Sequence, residues 1–285
     1  MNKLLVCKET REIAAKSLAI VLKRLLDLNE PISESMLRDN WLDEVRKNNS
    51  VFPDGWYEPP PHGMGVLFGS EKDINRISPS SLRLEEFWPR NDIILDRENG
   101  IIFVYMSLID KNTGIIGDFG LTLYLGKNEI VQNHLKKCLQ INKEIFEQLK
   151  VGMEFKEINM LAFELLKNKG LSSNLSSPSD PTGTNIGHTI PASYEDWENW
   201  NCTDEWQKIK DMISKKRKFV NSLESLKIRN GMAFTIEPRP FVVDNPTIPK
   251  VWFHTIAVFK ENGEKELLTN FDELFKLTGM DYIMV

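Results

Sequence analysis

The chain has 285 residues, 41% of them hydrophobic and 27% charged, the balance of a folded globular protein and not of a disordered one. Lys and Arg number 36 against 41 Asp and Glu, an acidic balance with no general attraction for nucleic-acid phosphates or anionic lipid. Cys7, Cys138 and Cys202 form no CxxC pair and are too few for a disulfide framework, so they read as reduced thiols. Thr10, Arg11 and Glu12 break the apolar run near the start, and no stretch reaches membrane-spanning length. The expectation is a cytoplasmic protein that binds neither membrane nor nucleic acid.

Ala14, Leu18, Val21, Leu22, Leu25 and Leu28 recur at helical spacing over 11–28, and Pro31 ends the pattern. A second helix is expected over Glu34–Arg46, with Ser33 as N-cap and Leu37, Trp41 and Val45 on one face. Residues 52–65 have no period, and Pro59, Pro60 and Pro61 bar a helix or central strand there. The aromatics embedded in that stretch mark an ordered loop. After an apolar run at 64–68, residues 101–109 and 115–125 read as a hairpin around the turn 110–114. Residues 131–149 fit one long helix, on which His134, beside Lys136 and Lys137, reads as solvated. A further helix at 158–166 is closed by Gly170.

Residues 172–183 read as loop and 205–212 as helix, and the basic run 215–218 reads as a solvated face. Trp197, Trp200 and Trp206 are assigned to core. Met232–Ile236, 252–259 and Lys265–Leu268 read as strands, the last two joined by a turn at 261–263. Helices and antiparallel strands are partly segregated, which gives an α+β class. The expected organisation is one domain over 1–285 with an N-terminal helical segment over about 1–50.

Four histidines occur, and His62 and His188 each adjoin a glycine, which allows close approach of backbone or substrate. Asp118 follows Gly117 in the returning strand, and Glu237 ends an apolar run. A carboxylate in such a place is costly to bury unless it is paired or bound to a cation. One such acid is satisfied by a nearby Arg or Lys. Two of them with a glycine-flanked imidazole point to a metal site.

Gly231-Met232-Ala233-Phe234-Thr235-Ile236-Glu237-Pro238, Gly187-His188-Thr189-Ile190 and Gly114-Ile115-Ile116-Gly117-Asp118 resemble motifs of the methionine aminopeptidase and aminopeptidase P superfamily, M24. Trp252-Phe253-His254-Thr255-Ile256-Ala257-Val258, followed by Asn262-Gly263-Glu264 and Leu268-Thr269, resembles that family's final hairpin. His62-Gly63 is similar to its substrate-side histidine loop, and the motifs stand in family order over 62–269. The resemblance implies the creatinase-like "pita-bread" fold, a curved antiparallel sheet covered by helices. It implies a metallopeptidase or related hydrolase acting on a small peptide or amino-acid-like substrate, with a homodimer as one option.

The resemblance also implies two metals held by two aspartates, a histidine and two glutamates. Here Ser107 stands at the place of the first aspartate and Phe253 at that of the second glutamate, while Asp110 belongs to the turn. Glu195 replaces a histidine expected after His188. The expectation is therefore one divalent ion (Mn, Fe, Co or Zn) per chain, held by Asp118, His188 and Glu237, with Phe253 filling the space of a second. His62 and His254 would orient substrate and stabilise an oxyanion, and Glu237 or Glu195 would relay the proton. Two other readings stand beside this one. The first is a mononuclear non-haem iron oxidase or lyase. The second is a catalytically inactive binding module, with 172–183 and 196–217 carrying partner contacts.

Overall fold

The computed structural model describes residues 2–78, 81–177, 179–190, 205–243 and 245–284, so Glu195, Trp197, Trp200 and Cys202 lie outside the described residues. Helix α1 (Lys3–Asp27) starts well before residue 11, with the Asn2 side chain accepting from the Leu5 amide. Its buried stripe contains Cys7, Arg11, Ala14, Leu18, Leu22 and Leu25. The arginine in that stripe is what hid the first turns from a hydrophobic period. Helix α2 (Glu34–Arg46) has the expected bounds, and Ser33 Oγ accepts from the Met36 amide at 3.1 Å. Trp41, on its buried face, donates to the Ala14 carbonyl at 3.1 Å and so locks the two helices together.

The strands that follow are β1 (Val51–Phe52), β2 (Met64–Ser70), β3 (Gly100–Met106), β4 (Ile109–Asp110) and β5 (Phe119–Tyr124). Asp110 closes the hairpin turn as expected, its Oδ1 accepting from the amides of Asn112 and Thr113 and from the Thr113 hydroxyl. Helices α3 (Glu129–Gln148) and α4 (Phe155–Asn168) come next, and Gly170 ends the second at φ +70°. The remainder is β6 (Leu171–Ser173), α5 (Trp206–Lys216), β7 (Met232–Ile236), β8 (Pro240–Val242), β9 (Phe253–Phe259), β10 (Lys265–Leu268) and α6 (Asp272–Leu277). The α+β class is the observed one, and among the described residues no helix is long and apolar enough to cross a membrane. Cys7 and Cys138 are buried free thiols, and burial pushes Cys7 up to about 12.

The main sheet is antiparallel and runs β10-β9-β5-β3-β2, with β7 also paired to β9. Strand β9 changes partner along its length. Phe253 and His254 pair with Leu121 and Gly120 of β5, and from Thr255 onward the strand pairs with β7. The sheet therefore divides at His254. Asp118 lies just before β5 and Glu237 just after β7, so both reach the point of division.

Two expectations need correction. His134 is not solvated: it is 5% exposed, on the buried face of α3 with Val131, Leu135 and Cys138. Its Nε2 donates to the Pro249 carbonyl at 3.0 Å, and burial pulls its pKa down to about 4. The basic run is not uniformly solvated either, because Arg217 is buried between the rings of Trp56 and Phe219. Its aromatic neighbours are distant in sequence, so charge pattern alone gives no sign of them. Of the three tryptophans assigned to core, Trp206 is half-buried and donates to the Asp54 carbonyl at 2.9 Å.

Candidate metal centre

Four side chains from separate stretches converge at the division of the sheet. His188 Nε2 lies 3.4 Å from Asp118 Oδ2 and 3.5 Å from Glu237 Oε1. His254 Nε2 lies 3.5 Å from Glu237 Oε2 and 3.9 Å from Asp118 Oδ2. Ligand atoms of Asp118, His188 and His254 all fall within 4.8 Å of one another. All four residues are buried.

Local structure dictates the aim of each group. Gly187 lies so close to β7 that a Cβ there would stand 2.1 Å from the Thr235 carbonyl oxygen, so only glycine lets the chain pass. The His188 amide then donates to Thr235 Oγ1 at 2.8 Å, and the Thr235 hydroxyl donates to Glu237 Oε1 at 2.8 Å. His188 Nδ1 faces the Thr189 carbonyl at 2.9 Å. A carbonyl only accepts, so Nδ1 carries a proton, and Nε2 is the nitrogen turned toward the two carboxylates. Trp56 Nε1 donates to Asp118 Oδ1 at 2.7 Å and leaves Oδ2 free.

The backbone behind the cluster is held by a residue that sequence reasoning passed over. Arg11 is fully buried, and its guanidinium donates to the carbonyls of Asp118, His254 (2.6 Å) and Thr269 (2.7 Å) and to Asn270 Oδ1 (3.1 Å). Helix α1 comes this close because Gly117 has no side chain: a Cβ there would stand 2.3 Å from the Arg11 amide nitrogen. Asn142 of α3 adds a bond to the Phe253 carbonyl at 2.7 Å. An arginine on the apolar stripe of a helix was the available signal.

The residues present fit a cation. Asp118 Oδ2 and both ring nitrogens of His254 are buried without a hydrogen-bond partner. Each orphaned group costs about 1–3 kcal/mol. Burial holds His254 well below the ordinary histidine range, hence neutral, and pushes Glu237 up to about 7. A neutral imidazole lone pair set between carboxylate oxygens is repulsive as it stands, and a divalent ion satisfies Asp118 Oδ2 and the Nε2 of His254 at once.

The other residues singled out from the sequence fall elsewhere. His62 sits at φ +61° with Nδ1 2.6 Å from Asp54 Oδ1, and it is not one of the residues lining the cleft beside the cluster. Ser107 Oγ accepts from the Tyr57 amide at 3.2 Å and donates to the Gly63 carbonyl at 3.4 Å. Phe253 does not fill space beside the cluster, contrary to expectation. Its ring packs on Phe271 and Phe275, because neighbouring residues of a strand face opposite ways and His254 takes the inner face. That alternation also brings His254 into the cluster as a fourth donor.

The family model for metallopeptidase family M24 matches residues 9–263. The chain belongs to that family. No curated protein matches it. Among solved structures, X-Pro aminopeptidase from Thermotoga maritima MSB8 is similar at 14% identity and TM-score 0.59, covering 94% of this chain and 60% of that one. The prolidase from Pyrococcus horikoshii OT3 is similar at 16% identity and TM-score 0.62, with 94% and 61% covered. Methionine aminopeptidase from Thermotoga maritima is similar at 15% identity and TM-score 0.55, with 92% and 96% covered. At these identities the likeness establishes the M24 pita-bread fold and nothing finer. The chain spans about 60% of the length of the first two of these proteins.

Proposed function

We propose that the chain is a metallohydrolase that cleaves a peptide or amide bond in a small substrate, using one divalent ion. The carrying observation is the set of buried, unpartnered atoms of Asp118 and His254, facing His188 Nε2 and Glu237. Asp118, His188 and Glu237 would hold the ion, with His254 as a further donor. When bound, the ion supplies Lewis-acid polarisation of a carbonyl and makes a water molecule more acidic.

The protein's own groups supply the rest. Trp56 fixes Asp118 through Oδ1, and Thr235 fixes Glu237 through Oε1, so Glu237 Oε2 is the oxygen left to take up and return a proton. Arg11 holds the main chain at residues 118 and 254 and keeps the donors in register. A single ion is supported by Ser107 being engaged with the loop backbone and by Phe253 facing α6. Glu195 keeps its proposed part, relaying a proton, whereas His62, bound to Asp54 and outside the cleft lining, is given none. The reading places the protein in the cytoplasm, as one unit over 1–285 to which the N-terminal helices contribute Arg11.

A second reading draws on a specific observation. One carboxylate and two imidazoles within 4.8 Å form the donor set of mononuclear non-haem iron sites. Titration of the chelator-treated chain with Mn(II), Fe(II), Co(II) and Zn(II), read by elemental analysis and paired with a peptide-amide screen, tests both. One equivalent with amide hydrolysis supports the hydrolase. One equivalent of Fe(II) with oxygen consumption and no hydrolysis favours the second reading. Two equivalents refute the single-ion assignment, and none leaves a binding module.

A further inference from the structure

A carboxylate can meet a cation with one oxygen or grip it with both, and the hydrogen bonds its oxygens already carry decide which. Asp118 is fully buried, and its two oxygens differ. Oδ1 accepts from Trp56 Nε1 at 2.7 Å, while Oδ2 has no partner. An indole N–H only donates, so it holds Oδ1 whether or not a cation is near. The Thr235 hydroxyl holds Glu237 Oε1 in the same way at 2.8 Å. Each acid therefore offers one uncapped oxygen to the centre.

Trp56 is built into its place. It is 2% exposed, and its amide donates to the Ser107 carbonyl at 3.1 Å, just past the end of β3. The neighbouring Tyr57 amide donates to Ser107 Oγ at 3.2 Å, so two successive residues of the loop are tied to one serine. The indole meets the rings of His188 and Tyr57 edge to face, with centroids 5.5 and 5.7 Å away. We propose that Trp56 is a metal-selectivity residue: it confines Asp118 to one oxygen, keeps the centre at a low coordination number, and favours Zn(II) and Co(II) over Mn(II). This deepens the proposed function and rests on the ion assigned there, not on the hydrolysis.

The donor set and its spacing support this choice. Two imidazoles beside two acids of one free oxygen each make a nitrogen-rich set of few donors, which suits Zn(II), whereas Mn(II) suits sites rich in carboxylate, carbonyl and water oxygen. His188 Nε2 stands 3.4 Å from Asp118 Oδ2, and His254 Nε2 stands 3.5 Å from Glu237 Oε2 and 3.9 Å from Asp118 Oδ2. Donors at tetrahedral angles with bonds of about 2.0–2.1 Å lie about 3.3–3.4 Å apart, whereas octahedral neighbours at the same bond length lie about 3 Å apart. All three separations fall on the wider, tetrahedral side.

The test compares the full chain with Trp56→Phe, which keeps an aromatic ring and removes the donor, both chelator-treated and then reloaded. Affinities for Zn(II), Co(II) and Mn(II) are read by competition with a chromophoric chelator. The cobalt form is also read by its visible absorption, which is strong for four or five donors and weak for six. Mn(II) is the weakest binder of the three at most sites, so the deciding quantity is the change in the Zn(II)-to-Mn(II) affinity ratio on substitution. The expected result is a strong cobalt band in the parent, a weakened one in W56F, and a ratio about tenfold to a hundredfold lower, as Asp118 takes the ion with both oxygens. A six-coordinate band in the parent, an unchanged ratio, or an equal loss for all three metals (the mark of packing alone) would each overturn the proposal. If W56F does not fold, as judged by circular dichroism, the cobalt band of the parent decides alone. The expected band and ratio without amide hydrolysis sink the hydrolase reading and leave this one. An unchanged ratio with hydrolysis retained does the reverse, and a chain that binds no ion ends both.

Discussion

Arg11→Met is the substitution that best tests how the cluster is held. Methionine keeps an unbranched stem in the same buried space but removes every donor. The carbonyls of Asp118, His254 and Thr269 and the Asn270 side-chain oxygen then lose their partner. Each buried acceptor left alone costs about 1–3 kcal/mol. Relief of a strained charge works against this, since burial pulls the Arg11 pKa down to about 9, still charged at neutral pH. The net loss should resemble that for removing one member of a buried charged network, about 3–5 kcal/mol. That is a large share of a typical total of about 5–15 kcal/mol. Urea unfolding followed by circular dichroism should show a lower midpoint at unchanged slope. The stabilisation conferred by Mn(II) should shrink as well, because two of the freed carbonyls belong to proposed ion-holding residues. A variant within about 1 kcal/mol of the parent, with Mn(II) stabilisation intact, would refute the idea that α1 braces the site.

The other predictions are shorter. His254→Ala should weaken Mn(II) binding at least tenfold in a competition assay with a chromophoric chelator, while Phe253→Leu should leave it nearly unchanged; equal effects would contradict the strand alternation. Gly187→Ala should destabilise the fold by about 2–3 kcal/mol, because its Cβ would meet the Thr235 carbonyl oxygen; a thermal melt unchanged from the parent would contradict the close approach. Burial pulls the His134 pKa down to about 4, from the ordinary histidine value of about 6.5. The unfolded chain therefore binds the proton more readily, and the stability is present above about 6.5 and lost as pH falls toward about 4. The loss should total about 3 kcal/mol, and His134→Gln should flatten that part of the stability–pH curve.

Local rules made much of the fold legible. Ser33 before an apolar period fixed the start of α2, and Asp110 with Gly114 fixed the hairpin turn that presents Asp118. Asp118, His188 and Glu237 were readable because a carboxylate at the end of an apolar strand, or an imidazole beside glycine, is expensive without a partner. What stayed hidden is non-local. Whether Phe253 or His254 faces inward depends on β9 pairing with β5 before it pairs with β7, and no window of sequence contains that change of partner. Arg217 looks like one more cation in a basic run until Trp56 and Phe219 are seen on either side. Trp56 lies in a loop with no period, so its bond to Asp118 leaves no trace in spacing.

The division of the sheet explains why the donors meet where they do. At residue 254 strand β9 leaves β5 and joins β7, so residues at the ends of both neighbours reach one point without any ladder hydrogen bond between them. Such a point needs other ties. From behind, Arg11 bonds the main chain at residues 118 and 254, on the two sides of the division. From the front, an ion held by Asp118, His188, His254 and Glu237 would make the second tie. The charges follow the same logic. Arg11 and Arg217 both feel Asp118, and Arg11 also feels Glu237. Two arginines thus already offset two carboxylates, and adding a divalent ion leaves the region positive.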